Sequence, residues 1–180
     1  IGWMGSVGIN INRYFFYNNT ADVSGGAIYV GPDSSNCTIN NSIFWSNSVT
    51  NITDGIGGAI DCEAENMTTH NTTFRNNKAA YGGAIWIGSE SGHSFLDNST
   101  FFNNEAYRDG GAVNLRASSV SLNNSNIHDN TAINGGALYV GGSGLTNNIT
   151  YSRFTKNHAV GGRGGAIDWR ASAGHILDSN

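Results

Sequence analysis

The chain has 180 residues and a formal net charge of −4, and only 12% of its residues are charged, so it lacks the basic surface that binds nucleic acid. Its hydrophobic content of 38% is too high for a disordered chain, which combines low hydrophobicity with high net charge. No apolar run approaches the about 20 residues that cross a bilayer, so no membrane insertion by this segment is predicted.

A Gly-Gly-Ala box followed by a short apolar run occurs six times. The boxes begin at Gly25, Gly57, Gly82, Gly110, Gly135 and Gly164. Successive boxes are separated by 25 to 32 residues, and self-similarity at such a period indicates a solenoid or an array of repeats.

A second motif precedes each box and consists of an apolar residue followed three positions later by asparagine. Its copies are Phe16/Asn19, Phe44/Asn47, Phe74/Asn77, Phe101/Asn104, Ile127/Asn130 and Phe154/Asn157. A third column lies five residues before each of these apolar residues, at Ile11, Ile39, Thr69, Leu96, Leu122 and Ile149, and Leu177 is expected to start a seventh copy. Each repeat therefore supplies three short segments, and the six asparagines are predicted to form a structural ladder of hydrogen-bonded amides.

These segments favour short strands over helices, because glycine, asparagine, serine and threonine are poor helix formers and no period of 3.6 is present. A propeller blade needs about 40 residues, whereas the shorter repeat fits one coil of a parallel β-helix. Six to seven coils at strand spacing predict a rod about 30 Å long. In each box the third and fifth residues after the first glycine are apolar and should face the core, so the residue between them should face outward.

The alternation of a Gly-Gly-Ala-Ile box with a Phe-x-x-Asn box resembles the repeats of chlamydial polymorphic outer-membrane proteins and related adhesin-like proteins. The resemblance covers nearly the whole chain, with Ile127 replacing phenylalanine in the fifth copy. It implies an all-β, right-handed, single-stranded parallel β-helix that is exposed at a cell surface and serves adhesion or surface structure. We therefore expect one domain over residues 1–180, uncapped at both ends and part of a longer repeat array or a filament.

Nine Asn-x-Ser/Thr sequons are candidate sites of N-linked glycans. They are Asn18, Asn36, Asn40, Asn51, Asn66, Asn71, Asn98, Asn123 and Asn148. The repeat itself places asparagine before serine or threonine, which explains part of the number without any glycan. The sequons at Asn36, Asn51 and Asn66 lie in turns of variable length and escape that explanation.

The outward-facing column of the boxes alternates aromatic and polar residues, which suits a contact with sugars or with a protein. It comprises Tyr29, Asp61, Trp86, Asn114, Tyr139 and Asp168. Good β propensity at a solvent-facing position is the alternative explanation. Cys37 and Cys62 should flank neighbouring corners, so a disulfide is predicted in an exported protein, with two buried free thiols as the alternative.

Neither catalysis nor metal binding is expected. Asp61 and Asp168 share a column but lie four coils apart, the five histidines lack metal-ligand spacing, and Arg116 has no evident carboxylate partner in register. The predicted function is that of an extracellular structural or adhesive surface protein without cofactors, associating end to end with copies of itself or with further repeats. The alternatives are an adhesin that binds carbohydrate or a cell-surface receptor and, less favoured, a polysaccharide lyase or hydrolase.

Overall fold

The computed structural model describes residues 1–89, 91–117, 119–142 and 146–179. Within these ranges the chain forms 26 strands of two to five residues, each spanning one side of a coil before the chain turns. No helix that is long and apolar enough to span a membrane is found among the described residues.

The strands form four sheets, and every neighbouring pair is parallel and comes from consecutive coils. The strands of the first sheet are Gly2–Trp3, Ile28–Val30, Ile60–Cys62, Ile85–Ile87, Val113–Leu115, Leu138–Val140 and Ile167–Trp169. Those of the second sheet are Asn10–Asn12, Thr38–Asn40, Thr68–His70, Phe95–Asp97, Ser121–Asn123, Asn147–Thr150 and Gly174–Leu177. The predicted Gly-Gly-Ala strands therefore make up most of one side of the molecule.

The other two sheets each have six strands. The third sheet consists of Phe15–Tyr17, Ile43–Trp45, Thr73–Arg75, Thr100–Phe102, Asn126–His128 and Arg153–Thr155. The fourth consists of Thr20–Ala21, Ser48–Val49, Lys78–Tyr81, Glu105–Asp109, Thr131–Ala132 and His158–Ala159. Three strands were predicted for each coil, and the fourth arises because a residue with positive φ, such as Asn18 at 55°, bends the chain directly after the third sheet.

The repeats stack in the register that the sequence predicts, with one exception. Ile149 lies opposite Ile176, and Thr150 lies opposite Leu177, so the expectation that Leu177 starts the seventh copy is wrong. A shift of one residue moves a side chain to the other face of a strand, and Leu177 accordingly belongs to the outward-facing row.

The core lies between the sheets and is built from stacks of like side chains. Phe16, Phe44, Phe74 and Phe101 stack face to face, with centroids 4.6, 4.9 and 4.8 Å apart and ring planes within 10° of parallel. Because consecutive coils are one strand spacing apart, equivalent apolar residues meet at van der Waals distance. The apolar columns that the sequence predicts therefore form the core.

The asparagine ladder runs along the corner between the third and fourth sheets. In each step, the side-chain oxygen of one asparagine accepts hydrogen bonds from the backbone N–H and the side-chain amide of the asparagine in the preceding coil. Asn77 Oδ1 thus lies 3.0 Å from both nitrogens of Asn47, and Asn77 Nδ2 in turn lies 3.0 Å from Asn104 Oδ1. Asn77 Nδ2 also donates to the Phe44 carbonyl at 3.0 Å. The hydrogen bonds between asparagines all run in one direction. The donor asparagine lies in one coil, and the oxygen that accepts lies in the following coil, toward the C-terminus.

Candidate functional site on the outer face of the first sheet

The predicted contact column forms one continuous row on the outer face of the first sheet. Tyr29, Asp61, Trp86, Asn114, Tyr139 and Asp168 pair in register from coil to coil. Their exposure differs from the prediction, since only Tyr29 and Trp86 are partly exposed. The other four side chains, Asp61, Asn114, Tyr139 and Asp168, are buried, although they point away from the core.

Long charged side chains from the adjacent row cover this column. The residue directly after each of the six Gly-Gly-Ala strands alternates between glycine and a charged residue: Gly31, Glu63, Gly88, Arg116, Gly141 and Arg170. A Cβ atom at Gly88 would collide with the Glu63 carboxylate, and one at Gly141 would lie 3.1 Å from Arg116 Nη1. Glu63 therefore occupies the space that Gly88 leaves open, and the Tyr139 ring and Arg116 share the space beside Gly141.

This covering row could have been found in the sequence, because its members lie six residues after the first glycine of each box. The direction of the outward column does not by itself reveal which neighbouring side chains reach over it. Alternation of glycine with a long charged residue at a fixed offset is the signal that predicts such a cover.

Two arginines enclose Tyr139. The guanidinium carbons of Arg116 and Arg170 lie 4.6 and 5.2 Å from the centroid of its ring, within the range of cation–π attraction. Arg170 donates to Asp168 Oδ2 from Nε at 3.0 Å and from Nη2 at 2.8 Å. The Asp168 carboxylate and the Tyr139 ring thus hold Arg170 beside the sheet.

The sequence gives Arg116 no carboxylate partner in register, but the structure provides one from its own coil. Arg116 Nη2 lies 3.5 Å from Asp109 Oδ2, and its Nε donates to Asn114 Oδ1 at 3.1 Å. Asp109 reaches the arginine because its strand, Glu105–Asp109, ends just before the corner of the box. The result is a polar network in which both arginines already have partners.

Asp61 is the exception on this face. It is 1% exposed, and among the described residues neither carboxylate oxygen has a partner at full hydrogen-bonding geometry, although the Ser24 hydroxyl lies near enough to interact weakly. Burial raises the pKa of Asp61 to about 7, the neighbouring Glu63 carboxylate adds to the increase, and the Ser24 hydroxyl offsets it only in part. Trp86 cannot supply a bond, because its Nε1 donates to Glu63 at 3.1 Å. Near neutral pH, therefore, Asp61 carries a proton in a large fraction of molecules.

We expect Asp61 to make the chain less stable as the pH rises from about 4 to about 7. The pKa in the folded chain, about 7, lies above the ordinary value of 3.8, so the folded state keeps a proton that the unfolded state loses in this window. The contribution of Asp61 to the free energy of unfolding should fall by roughly 4 kcal/mol across the window and change little above it. Chemical denaturation at a series of pH values measures this slope.

Asp61→Asn should flatten the slope and stabilise the chain at pH 8, because the neutral amide removes the cost of a buried charge. Asp54→Asn is the matched control, since Asp54 is exposed in a turn. An unchanged slope in Asp61→Asn, or an equal change in Asp54→Asn, would assign the pH dependence to other groups.

The disulfide predicted between Cys37 and Cys62 is not formed, and both residues are buried free thiols. Cys62 stacks in register between Val30 and Ile87, and its Sγ lies 3.4 Å from the Ala64 carbonyl oxygen. Burial raises the pKa of Cys37 to about 11 and that of Cys62 to about 12, which suppresses the thiolate needed for disulfide formation.

All nine sequon asparagines lie at least partly at the surface. Asn18, Asn36, Asn71 and Asn98 are exposed, and Asn40, Asn51, Asn66, Asn123 and Asn148 are partly exposed. Five of the nine have positive φ and sit at corners: Asn18, Asn36, Asn66, Asn71 and Asn98. Asparagine tolerates this conformation better than most residues, so the same positions serve the turn whether or not a glycan is attached.

The histidines are distributed along the coils. His70 Nδ1 lies 2.9 Å from Asp97 Oδ2, and His128 Nδ1 lies 2.6 Å from Asp129 Oδ2. Within the described part of the chain, no three His, Cys, Asp or Glu side chains are arranged to hold a metal ion.

Coils of parallel strands, stacked core columns and an internal amide ladder define the chain as a parallel β-helix protein. It belongs to the family described as the right handed beta helix region, which matches residues 5–177, and the helix is accordingly right-handed. Comparison with curated proteins and with solved structures gave no match.

Proposed function

We propose that this chain is a rigid structural or adhesive module of an extracellular surface, and that its coils continue end to end into a filament. The observation that carries the proposal is the single direction of the asparagine ladder. In the first ladder step, Asn19 donates to Asn47, and among the described residues no asparagine donates to Asn19 Oδ1. In the last coil, Asn157 Oδ1 accepts from Asn130, and within the described part of the chain no further asparagine oxygen accepts from the Asn157 backbone N–H.

The two ends are therefore complementary. A coil ending in Asn157 offers a donor where a coil beginning with Asn19 offers an acceptor, which is the geometry of every internal step. Such a coil can come from a second copy of this chain or from further repeats. A head-to-tail contact of this kind does not close on itself and generates a fibre.

Apolar side chains at the ends support the same proposal. A shallow cavity of about 190 Å³ at the first coil is lined by Ile1, Trp3, Asn10, Ile11, Tyr14 and Phe16. At the other end, Ile167 and Trp169 are only partly buried, although their counterparts in the inner coils are fully covered. Exposed strand edges and apolar side chains favour pairing with another coil.

Gly165→Ala tests the proposal. Gly165 is the second glycine of the last box, and a Cβ atom there would meet only the Asn157 carbonyl oxygen, at 3.8 Å. At the same position in inner boxes, a Cβ atom would collide with the backbone of the following coil. The variant should fold normally and lose the ability to accept another coil.

Sedimentation velocity over a range of concentrations should show long assemblies for the wild-type chain and single rods for Gly165→Ala, with equal thermal stability of the folded unit. A wild-type chain that stays monomeric at high concentration contradicts self-assembly. Assemblies of unchanged length in Gly165→Ala contradict the proposed contact.

The adhesin and enzyme alternatives receive less support from the first sheet. A sugar or receptor on the outward column would meet Arg116 and Arg170 before Tyr139, and both arginines are engaged with Asp109 and Asp168. An enzyme acting on this column would need an accessible acid, whereas Asp61 and Asp168 are both buried. The family is compatible with surface proteins and with enzymes and therefore does not decide between them. The structural role is our proposal because of the asparagine ladder.

A further inference from the structure

An exposed aromatic cluster lies on the outer face of the third sheet, away from the predicted contact column. It consists of Phe15, Tyr17 and Trp45, and we call it the aromatic patch. Phe15 and Tyr17 are 56% and 52% exposed, and Trp45 is partly exposed. Large exposed aromatic side chains in contact with one another favour an interaction with another group, and Phe15–Tyr17, as the end strand of the third sheet, owes part of its exposure to that position.

The rings of the patch form a surface that is open to solvent. The Phe15 and Tyr17 rings are parallel within 2°, with centroids 5.9 Å apart. Both are tilted by about 45° from Trp45, whose centroid lies 4.7 Å from that of Tyr17. The Arg75 guanidinium lies 4.2 Å from the centroid of the Trp45 ring on the side of the next coil. Trp45 is thus fixed from one side, while Phe15 and Tyr17 present more than half of their surface to solvent.

Asn18 follows Tyr17 directly in the sequence, at the corner where the strand that carries Phe15 and Tyr17 ends. It is exposed, has a φ of 55° and belongs to a complete sequon through Thr20. The other exposed corner sequons have polar predecessors: Asn36 follows Ser35, Asn71 follows His70, and Asn98 follows Asp97. Asn18 therefore differs from the other exposed corner sequons because it directly follows an aromatic residue, Tyr17.

We propose that Asn18 carries an N-linked glycan whose first sugars lie on the aromatic patch and cover it. Pyranose rings present C–H groups on one face, and these pack on the negative face of an aromatic ring. This inference rests on the proposed extracellular setting, because N-glycosylation requires export. The occupant is a part of this molecule, which explains how the rod can display three neighbouring aromatic side chains.

The modification uses an oligosaccharide linked to a lipid diphosphate as its co-substrate. The Asn18 Nδ2 nitrogen forms a bond to the anomeric carbon of the first sugar, and the bond from that carbon to the diphosphate oxygen breaks. The lipid diphosphate leaves with the bonding electrons, and Nδ2 gives up one proton. The second N–H of the amide remains as a donor.

The test is secretion of the full chain from a eukaryotic cell line that performs N-glycosylation, followed by glycopeptide mass spectrometry. Hydroxyl-radical footprinting then measures the oxidation rates of Tyr17 and Trp45. Thr20→Ala removes the Asn18 sequon and keeps the asparagine that the corner needs. Thr100→Ala is the matched control, because it removes the sequon of Asn98 in the same way.

We expect Asn18 to be occupied, and Tyr17 and Trp45 to be oxidised about threefold faster in Thr20→Ala than in the wild-type chain or Thr100→Ala. A bare Asn18 beside an occupied Asn98 would overturn the proposal, as would an occupied Asn18 with unchanged oxidation rates. Secretion without a glycan at any sequon would also overturn it. None of these results bears on end-to-end assembly, which sedimentation measures separately.

Discussion

Asn77→Ala is expected to lower the free energy of unfolding by about 4 kcal/mol or more, because it leaves several buried polar groups without partners. Asn77 is fully buried in the middle of the ladder. The substitution removes the acceptor for two nitrogens of Asn47 and the donor to the Phe44 carbonyl and to Asn104 Oδ1. Guanidinium denaturation followed by circular dichroism measures the loss.

Asn126→Ala is the matched control for the ladder. Asn126 lies in a strand of the third sheet, and its side chain is exposed. Its replacement should change the free energy of unfolding by less than about 0.5 kcal/mol. Equal effects of the two substitutions would show that the ladder contributes nothing beyond an ordinary surface asparagine.

Gly83→Ala is expected to have the second large effect, a destabilisation of about 3 kcal/mol or more. The backbone of consecutive coils approaches so closely at this corner that a Cβ atom on Gly83 would lie 2.6 Å from the Glu105 carbonyl oxygen and still closer to that of Gly111. Both atoms belong to the backbone of the next coil, so neither can move without opening the first or the fourth sheet. The thermal unfolding midpoint is the measurement.

Gly165→Ala serves as the control for Gly83→Ala, since it makes the same change at the same position of the motif where no following coil is present. Its thermal midpoint as a single rod should equal that of the wild-type chain. If Gly83→Ala were tolerated as well, the second glycine of the box would not be needed for close stacking of the coils.

Local spacing was sufficient to predict the coil. The period of the glycine boxes, the phenylalanine column and the asparagine ladder each report a contact between equivalent residues in consecutive coils, and such contacts repeat in the sequence. The fourth sheet was missed because its strands are as short as Thr20–Ala21, too short for an alternation to be visible. The register of the last coil was misplaced by one residue because Ile176 and Leu177 are both apolar.

The candidate site was predicted less well, because its properties depend on side chains that cross from one row to another. The alternation of side chains along the strand predicts that Asp61 and Tyr139 face outward. Whether they are buried depends on Glu63 and Arg116, whose long side chains extend over neighbouring glycines. The state of the two cysteines likewise depends on the environment of each thiol, which the sequence positions do not describe. The aromatic patch has no comparable signal in the sequence, because Tyr17 and Trp45 occupy an outward row of the third sheet that carries no repeated motif.

Cryo-electron microscopy of the wild-type chain at high concentration tests end-to-end stacking most directly. We expect filaments in which the spacing of about 4.8 Å between strands continues across each junction between subunits. At that junction, the backbone N–H of Asn157 should face Asn19 Oδ1 of the next copy, as Asn47 faces Asn77 within the chain. Single rods at every concentration, or rods joined side by side with both ends free, would contradict the proposed filament.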